Sequence, residues 1–368
     1  DMTQGRLEAV YESLGLLISS GTISNIITDK GDWALAEQND ILRNGIKHSE
    51  YAQADGTKSV QKGKSMVTQV IGSDKFRVFL TLPGKSRLDI LNAIQGRPVG
   101  GLQVCWNAKS EALLNSMKVA VCHQAVVRRI MLDKGDIKLS VLEQLLDESP
   151  LAGRSGIRRG VLHALALSHY LEQEDFPVIQ WLLSDDAGEY TKISGQGHAL
   201  CWIHDVRYYR KLIPRLEVHK KIHDEILDQY WSYYARLNAY RQADKKLQEQ
   251  QKPLLEQQFE VIFNRTTDYF QINDCLQRTY ANKEKLLAVL ENPAIPLHNN
   301  AAERGARRVV RKRDISLHTW SDKGTRIRDA YMTISQTAAI LGVNVMDYIK
   351  DRISGQYQMR ALSERIAM

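Results

Sequence analysis

The densest chemistry in this chain sits in the stretch Ile295-Pro-Leu-His-Asn-Asn-Ala-Ala-Glu-Arg-Gly-Ala-Arg-Arg-Val-Val-Arg-Lys-Arg313. Here one carboxylate, Glu303, stands among the six cations Arg304, Arg307, Arg308, Arg311, Lys312 and Arg313. Pro296 cannot continue a preceding helix, and Asn299 and Asn300 can accept from the first free backbone N–H groups of a new one, so a helix is expected from about 301 to 313. At 3.6 residues per turn Glu303 shares a face with Arg307, and the other cations spread over the flanks. Taken alone, this is a solvated basic helix with one i,i+4 ion pair. The sharper reading is an acid that holds a divalent metal on a face lying against phosphate, and it needs two further acids.

Two strands can supply them. Tyr51-Ala-Gln-Ala-Asp-Gly-Thr57 precedes the runs Ser65–Ile71 and Phe76–Leu82, rich in β-branched and aromatic residues and separated by Gly72-Ser73-Asp74, which read as a hairpin. A strand near Tyr51–Asp55 would complete a three-stranded meander, with Asp55 at its end beside Gly56; an Asp-Gly pair is otherwise an ordinary turn. Further on, Phe176-Pro-Val-Ile-Gln-Trp-Leu-Leu-Ser-Asp-Asp-Ala-Gly-Glu-Tyr190 is an apolar run ending in two aspartates, as when a buried strand delivers acids to the edge of an α/β sheet. Successive strand side chains alternate, so only one of Asp185 and Asp186 can point into a site. Acids from two strands and a late helix suit Mg²⁺, a hard ion that carboxylate oxygen binds, and phosphoryl transfer by two such ions about 3.5–4 Å apart. Spacing alone leaves both readings open.

Of the 368 residues 43% are hydrophobic and 25% charged, ordinary for a globular protein, and the net charge of +7 permits a polyanionic partner without demanding one. No apolar window spans a membrane and no signal peptide is visible, so we expect no membrane partner and a cytoplasmic location. Cys105, Cys122, Cys201 and Cys275 lie far apart, which speaks against a disulfide framework or a four-cysteine zinc site. Cys201 and His204 have the spacing of a metal-ligand pair, but no second pair stands near; packing by Trp202, Tyr208 and Tyr209 is the simpler use of that run. His123, His163 and His169 read as packed or surface residues. The opening Asp1-Met2 suggests a piece of something longer.

The remaining elements follow from periodicity. Leu7, Val10, Tyr11 and Leu14 share a helix face, Gly15 suits a left-handed C-cap, and Ser19 or Ser20 can start a second helix holding Ile23, Ile26 and Ile27. The outline is that of a helix-turn-helix, which would turn Ser20, Thr22, Ser24 and Asn25 towards a DNA groove; an ordinary helical hairpin fits as well. Residues 30–50 are charged and helical. Lys85-Ser-Arg87 leads a helix to about Gly96, and Ser110–Ala125, Leu139–Leu146 and Ile157–Gln173 are expected helices. Residues 215–290 are strongly helical, with aromatics at Tyr230, Trp231, Tyr233, Tyr234 and Tyr240. Ile327, Ala330, Ile334, Thr337 and Leu341 mark a helix that packs on the sheet, and Asn344 caps a last short helix through Ile353.

Taken together these motifs resemble the DDE transposases of bacterial insertion sequences, in the branch typified by insertion sequence 66. The matching pieces are Ala54-Asp-Gly-Thr57, Lys85-Ser-Arg87, Ser184-Asp-Asp-Ala-Gly-Glu-Tyr190, His198-Ala-Leu-Cys-Trp-Ile-His204, Pro296-Leu-His-Asn-Asn-Ala-Ala-Glu303 with its basic helix, and Ser321-Asp-Lys-Gly-Thr325 leading to Asp347-Tyr-Ile349. Gly56 stands where many relatives carry an acid. The resemblance implies a mixed α/β fold with a ribonuclease-H-like sheet flanked by helices, large helical insertions and an N-terminal helix-turn-helix. On that basis we divide the chain into a helix-turn-helix segment (1–30), a helical connector (31–50), a first part of the core (51–96), a helical insertion (97–175), a second part of the core (176–214), a second insertion (215–290) and a C-terminal part with the basic helix (291–368).

The resemblance also implies the roles. Asp55, Asp185 and Glu303 would be the catalytic, metal-binding triad, Asp185 being preferred to Asp186 because Tyr190 completes the family's arrangement from it. Lys85, Arg87, Arg304, Arg307, Arg308, Arg311, Lys312 and Arg313 would hold DNA phosphates, and Thr22 and Asn25 would reach DNA from the N-terminal helices. The cofactor would be Mg²⁺, with Mn²⁺ a substitute, and the partners double-stranded DNA at transposon ends and target, further copies of the chain, and accessory proteins of the same element. The activity implied is cleavage at transposon ends followed by strand transfer. Rival readings are a nuclease of the same fold that cuts without joining, and an inactive or truncated DNA-binding remnant.

Overall fold

The computed structural model describes residues 3–96, 100–132 and 134–368; Asp1-Met2, and the opening of the expected insertion at 97, lie outside the described residues. The chain divides into two compact units, one made of residues 1–49, 54–179 and 301–368, the other of 50–53 and 180–300.

The first unit opens with α1 (Gln4–Ser13) and α2 (Ser20–Asp29), capped by Thr3 and Ser19, whose side-chain oxygens accept the N–H groups of Arg6 and Thr22. Gly15 has the positive φ expected of it. Helix α3 (Asp32–Lys47) occupies the expected connector but buries Ala34, Ile41, Leu42 and Ile46. Strand β1 (Ala52–Gln61) begins in the second unit and continues in the first. The expected hairpin is present as β2 (Lys64–Gly72) and β3 (Arg77–Leu82), antiparallel from Val67↔Leu82 to Gly72↔Arg77. Next, α4 (Arg87–Ile94) starts at a reciprocal cap between Ser86 and Asp89. Then follow β4 (Gln103–Val104), α5 (Ser110–Ser116), α6 (Val121–Met131), β5 (Ile137–Lys138), α7 (Leu139–Asp147) and α8 (Ser155–Glu172). The single helix expected over Ser110–Ala125 is therefore two. Lys118 takes a left-handed turn at φ 58°, and the Gln124 amide holds it by donating to Val119 O and Asn115 Oδ1, both at 2.7 Å.

The second unit contains β6 (Trp181–Ser184), β7 (Gly197–Leu200), α9 (Trp202–Arg210), α10 (Glu217–Gln242), α11 (Lys245–Phe263), α12 (Phe270–Ala281), α13 (Lys283–Leu286) and α14 (Ala288–Glu291). Within it β6 runs parallel to β7 and to the first residues of β1, with Ala52 opposite Leu182 and Gln53 opposite Leu183. The expected helical aromatics form a core: Trp202, Tyr230, Tyr233, Phe259 and Phe263 are buried together, with Phe259 and Phe263 ring centres 4.7 Å apart. Among the described residues the strands form one five-stranded mixed sheet, β3-β2-β1-β6-β7, and a two-stranded one, β4-β5. The mixed α/β class expected from the sequence is present.

The first unit closes with α15 (Asn300–Ser316), α16 (Asp322–Ile340), α17 (Val345–Ile353) and α18 (Leu362–Ile366). Asn344 caps α17 as expected, but α17 is not the last helix; α18 buries Leu362 and Ile366, and Leu362 N–H donates to Glu37 at 3.0 Å. Helix α16 lies along β3. Its Thr337, Thr333 and Asp329 accept the backbone N–H groups of Arg77, Phe79 and Thr81 at 3.2, 3.1 and 2.7 Å. Four helical residues rise about 6 Å and two strand residues about 6.6 Å, so the two series stay in step. Among the described residues no helix is long and apolar enough to cross a membrane.

Candidate functional site

In the first unit Asp55 sits half-buried within β1, and its Oδ1 accepts the Gly56 N–H at 2.8 Å. A Cβ at Gly56 would lie 3.1 Å from the Gln69 amide, so the close pass of β2 favours glycine there. Glu303 lies in the first turn of α15, half-buried. The helix packs through Ala306 and Val309 on Val70 and Phe79, which turns the arginines outward. Arg304, Arg307, Arg308 and Arg311 are exposed, and among the described residues none of the four is ion-paired. Four uncompensated guanidinium groups on one helix suit a polyanion. Lys312 is half-buried, its pKa lowered by burial and by Arg328. Arg313 donates to Lys58 O at 2.9 Å, so part of its capacity is structural.

In the second unit the loop after β6 separates the two aspartates. Asp185 Oδ1 accepts the Ala187 N–H at 3.2 Å, while Ser184 Oγ donates to the Asp185 carbonyl at 2.6 Å and meets His198 Nε2 at 2.8 Å. Asp186 is instead taken by Arg278 at 2.8 Å, with Lys285 4.0 Å away. Arg278 also donates to Asp205 at 3.2 Å and lies over the Tyr208 ring at 3.5 Å. Asp205 is 6% exposed and receives Thr279 and Tyr230 hydroxyls at 2.7 and 3.1 Å. Burial raises its pKa against those hydrogen bonds. Burial, with help from Lys285, holds His198 down at about 4, so the ring is neutral. Cys201 is buried and accepts the Asn299 N–H at 3.3 Å.

Residues 166–327 match the model of the Transposase IS66 family. The matched segment contains Asp185, Tyr190, Glu303 and all six cations of the basic helix, and it meets the resemblance drawn from the sequence. Asp55, Lys85, Arg87, Thr22 and Asn25 lie before it. The chain is also 27% identical over 314 residues to "Uncharacterized protein y4jO" of Sinorhizobium fredii (strain NBRC 101917 / NGR234), an alignment covering 85% of this chain and 94% of that one. No solved structure matches.

The predicted DNA contacts outside the matched segment differ in setting. Thr22, Asn25 and Lys85 are exposed. Arg87 is half-buried and its guanidinium meets His163 Nδ1 at 3.2 Å; burial, then Arg87 and Arg159, hold His163 at about 4. Arg77, Arg278, Asp205 and His198 escaped the sequence reading as partners of the site. Only His198 and Asp205 stood near a motif, and neither Arg77 nor Arg278 carries a local signal.

Proposed function

We propose that the chain is a DNA transposase that cleaves at transposon ends and transfers the freed 3′-hydroxyl into target DNA, with Asp55, Asp185 and Glu303 as its metal-binding triad. The observation that carries the reading is the family match over residues 166–327 together with helix α15, where a half-buried carboxylate opens a row of exposed arginines that have no ion pair among the described residues. The donor set fits a hard divalent cation such as Mg²⁺ or Mn²⁺: three carboxylates, with Asp55 and Glu303 half-buried on a strand and in a first helical turn and Asp185 half-buried directly after β6. Bound there, such ions would neutralise charge on the reacting phosphate and make water or a 3′-hydroxyl a better nucleophile.

The chain's own task is positioning. A water oxygen attacks the phosphorus at the transposon end and the 3′ oxygen leaves as a hydroxyl; that hydroxyl then attacks a target phosphodiester, displacing the next 3′ oxygen. Arg304, Arg307, Arg308 and Arg311, with Lys85, hold backbone phosphates and set the register without reading bases. The Arg278 and Lys285 pair engages Asp186 and leaves Asp185 as the loop's carboxylate for the triad. Helix α2 presents Thr22 and Asn25 to DNA, and two transposon ends held together require more than one copy, assisted by accessory proteins of the element.

The test is divalent-metal-dependent cleavage and joining of a labelled transposon end by wild type, Asp185→Asn and Glu303→Gln. Wild type should cut and join with Mg²⁺ or Mn²⁺, and each variant should bind the end yet lose both steps by at least about 10³-fold. Cutting without joining would make the chain a nuclease. Binding without cutting, in either metal, would make it a DNA-binding remnant.

A further inference from the structure

A buried cation lies under the helix that carries Glu303. Arg77, on β3, is 9% exposed. Its backbone is fully engaged by Thr337, which accepts its N–H at 3.2 Å and donates to its carbonyl at 3.1 Å. Its side chain runs beneath α15 at Gly305, where a Cβ would come 2.8 Å from Cδ and 3.6 Å from Nε. Only a glycine lets the helix and the arginine stem pass this closely. Nε is sealed from solvent and has no acceptor, and among the described residues no acid pairs with the guanidinium.

The surroundings compound the problem. Arg304, the residue before Gly305 in the second turn of α15, is the charged neighbour felt by Arg77, and it has the same sign. Burial and Arg304 together lower the Arg77 pKa, yet an arginine stays protonated at any physiological pH. A largely buried guanidinium whose Nε is unbonded and whose charged neighbour has the same sign is unfavourable in the isolated protein, and an anion relieves both defects.

We propose that Arg77 and Arg304, across the gap left by Gly305, form a subsite for one phosphate oxyanion of the DNA backbone. The inference rests on the DNA-binding reading of α15 and deepens it, since it separates a built phosphate seat from the outward arginines that steer DNA by charge alone. A phosphate group matches the forked donors of two guanidinium groups, and a phosphodiester keeps that match in a polymer.

The experiment compares wild type, Arg77→Met and Arg304→Gln in two arms: thermal unfolding with and without inorganic phosphate, and binding of a duplex transposon end as a function of salt. In phosphate-free buffer Arg77→Met should melt no lower than wild type, because an apolar side chain of similar length replaces an unpaired charge. It should lose the rise in melting temperature that phosphate gives wild type, and its log-log salt slope should fall by about one. Arg304→Gln, at an exposed position that does not threaten folding, should also blunt the phosphate response. The subsite is overturned if Arg77→Met melts below wild type while keeping the wild-type salt slope, or if Arg304→Gln leaves the phosphate response whole. If phosphate stabilises wild type through Arg77 but no duplex binds, the anion subsite stands and the transposase reading fails.

Discussion

Asp205 and Arg77 are both ionisable side chains taken almost wholly out of water, and they are treated oppositely. Asp205 receives hydrogen bonds from Thr279, Tyr230 and Arg278, three partners from α10 and α12. Arg77 receives no partner for its side chain among the described residues. The difference teaches where to look for a ligand. A buried charge that the chain answers itself is part of the scaffold, whereas one it leaves unanswered points outside the chain. His198 is a third case: half-buried and near the charge of Lys285, it escapes the conflict by staying neutral, an exit closed to arginine.

The comparison can be broken most forcefully by making Asp205 resemble Arg77. Arg278→Met removes its cationic partner and also frees Asp186, and should destabilise the protein by about 3–5 kcal/mol in denaturant unfolding. A loss under about 1 kcal/mol would mean that the two buried charges do not differ as described. Acid titration sharpens the comparison next. The His198 pKa is lower in the folded chain, about 4, than the ordinary value of about 6.5, so the unfolded chain binds the proton first. Its contribution is intact above about pH 6.5 and is lost as the pH falls towards 4, an effect on the order of 2 kcal/mol. His163 behaves alike, so His198→Gln should remove roughly half of this acid-side decline, measured as unfolding free energy at pH 7 and pH 5. The smallest effect is expected from Gly305→Ala. The new methyl would meet Val70 Cγ1 at 2.6 Å and Arg77 Cδ at 2.8 Å, and this overpacking should outweigh the gain of about 1 kcal/mol in helix propensity, for a net loss of about 1 kcal/mol.

What the sequence disclosed was what short range decides. The β2–β3 hairpin was legible from two β-branched and aromatic runs around Gly72-Ser73-Asp74, and the basic helix and the cap at Asn344 from local side-chain chemistry. The break at Lys118 was not legible, because a lysine with positive φ carries no mark and the Gln124 amide that holds it acts across the turn. The five-residue α18 is too short for periodicity to register. Among the acids, alternation said that Asp185 and Asp186 diverge but not which is engaged; the deciding Arg278 lies 92 residues from Asp186. Arg77 was invisible for the same reason. In Phe76-Arg-Val-Phe79 it reads as the polar member of an alternating strand, and only a helix folded from the far end of the chain covers it.

The match between α16 and β3 has a consequence for how the protein survives at high concentration. β3 is the terminal strand of its sheet, and such a strand ordinarily offers a ladder of free amides to any extended segment of another molecule. Here Thr337, Thr333 and Asp329 occupy those amides at Arg77, Phe79 and Thr81, and Gln38 takes the Phe79 carbonyl at 2.8 Å. A helix thus serves as a false neighbouring strand, and the sheet cannot be lengthened on that side into a fibre.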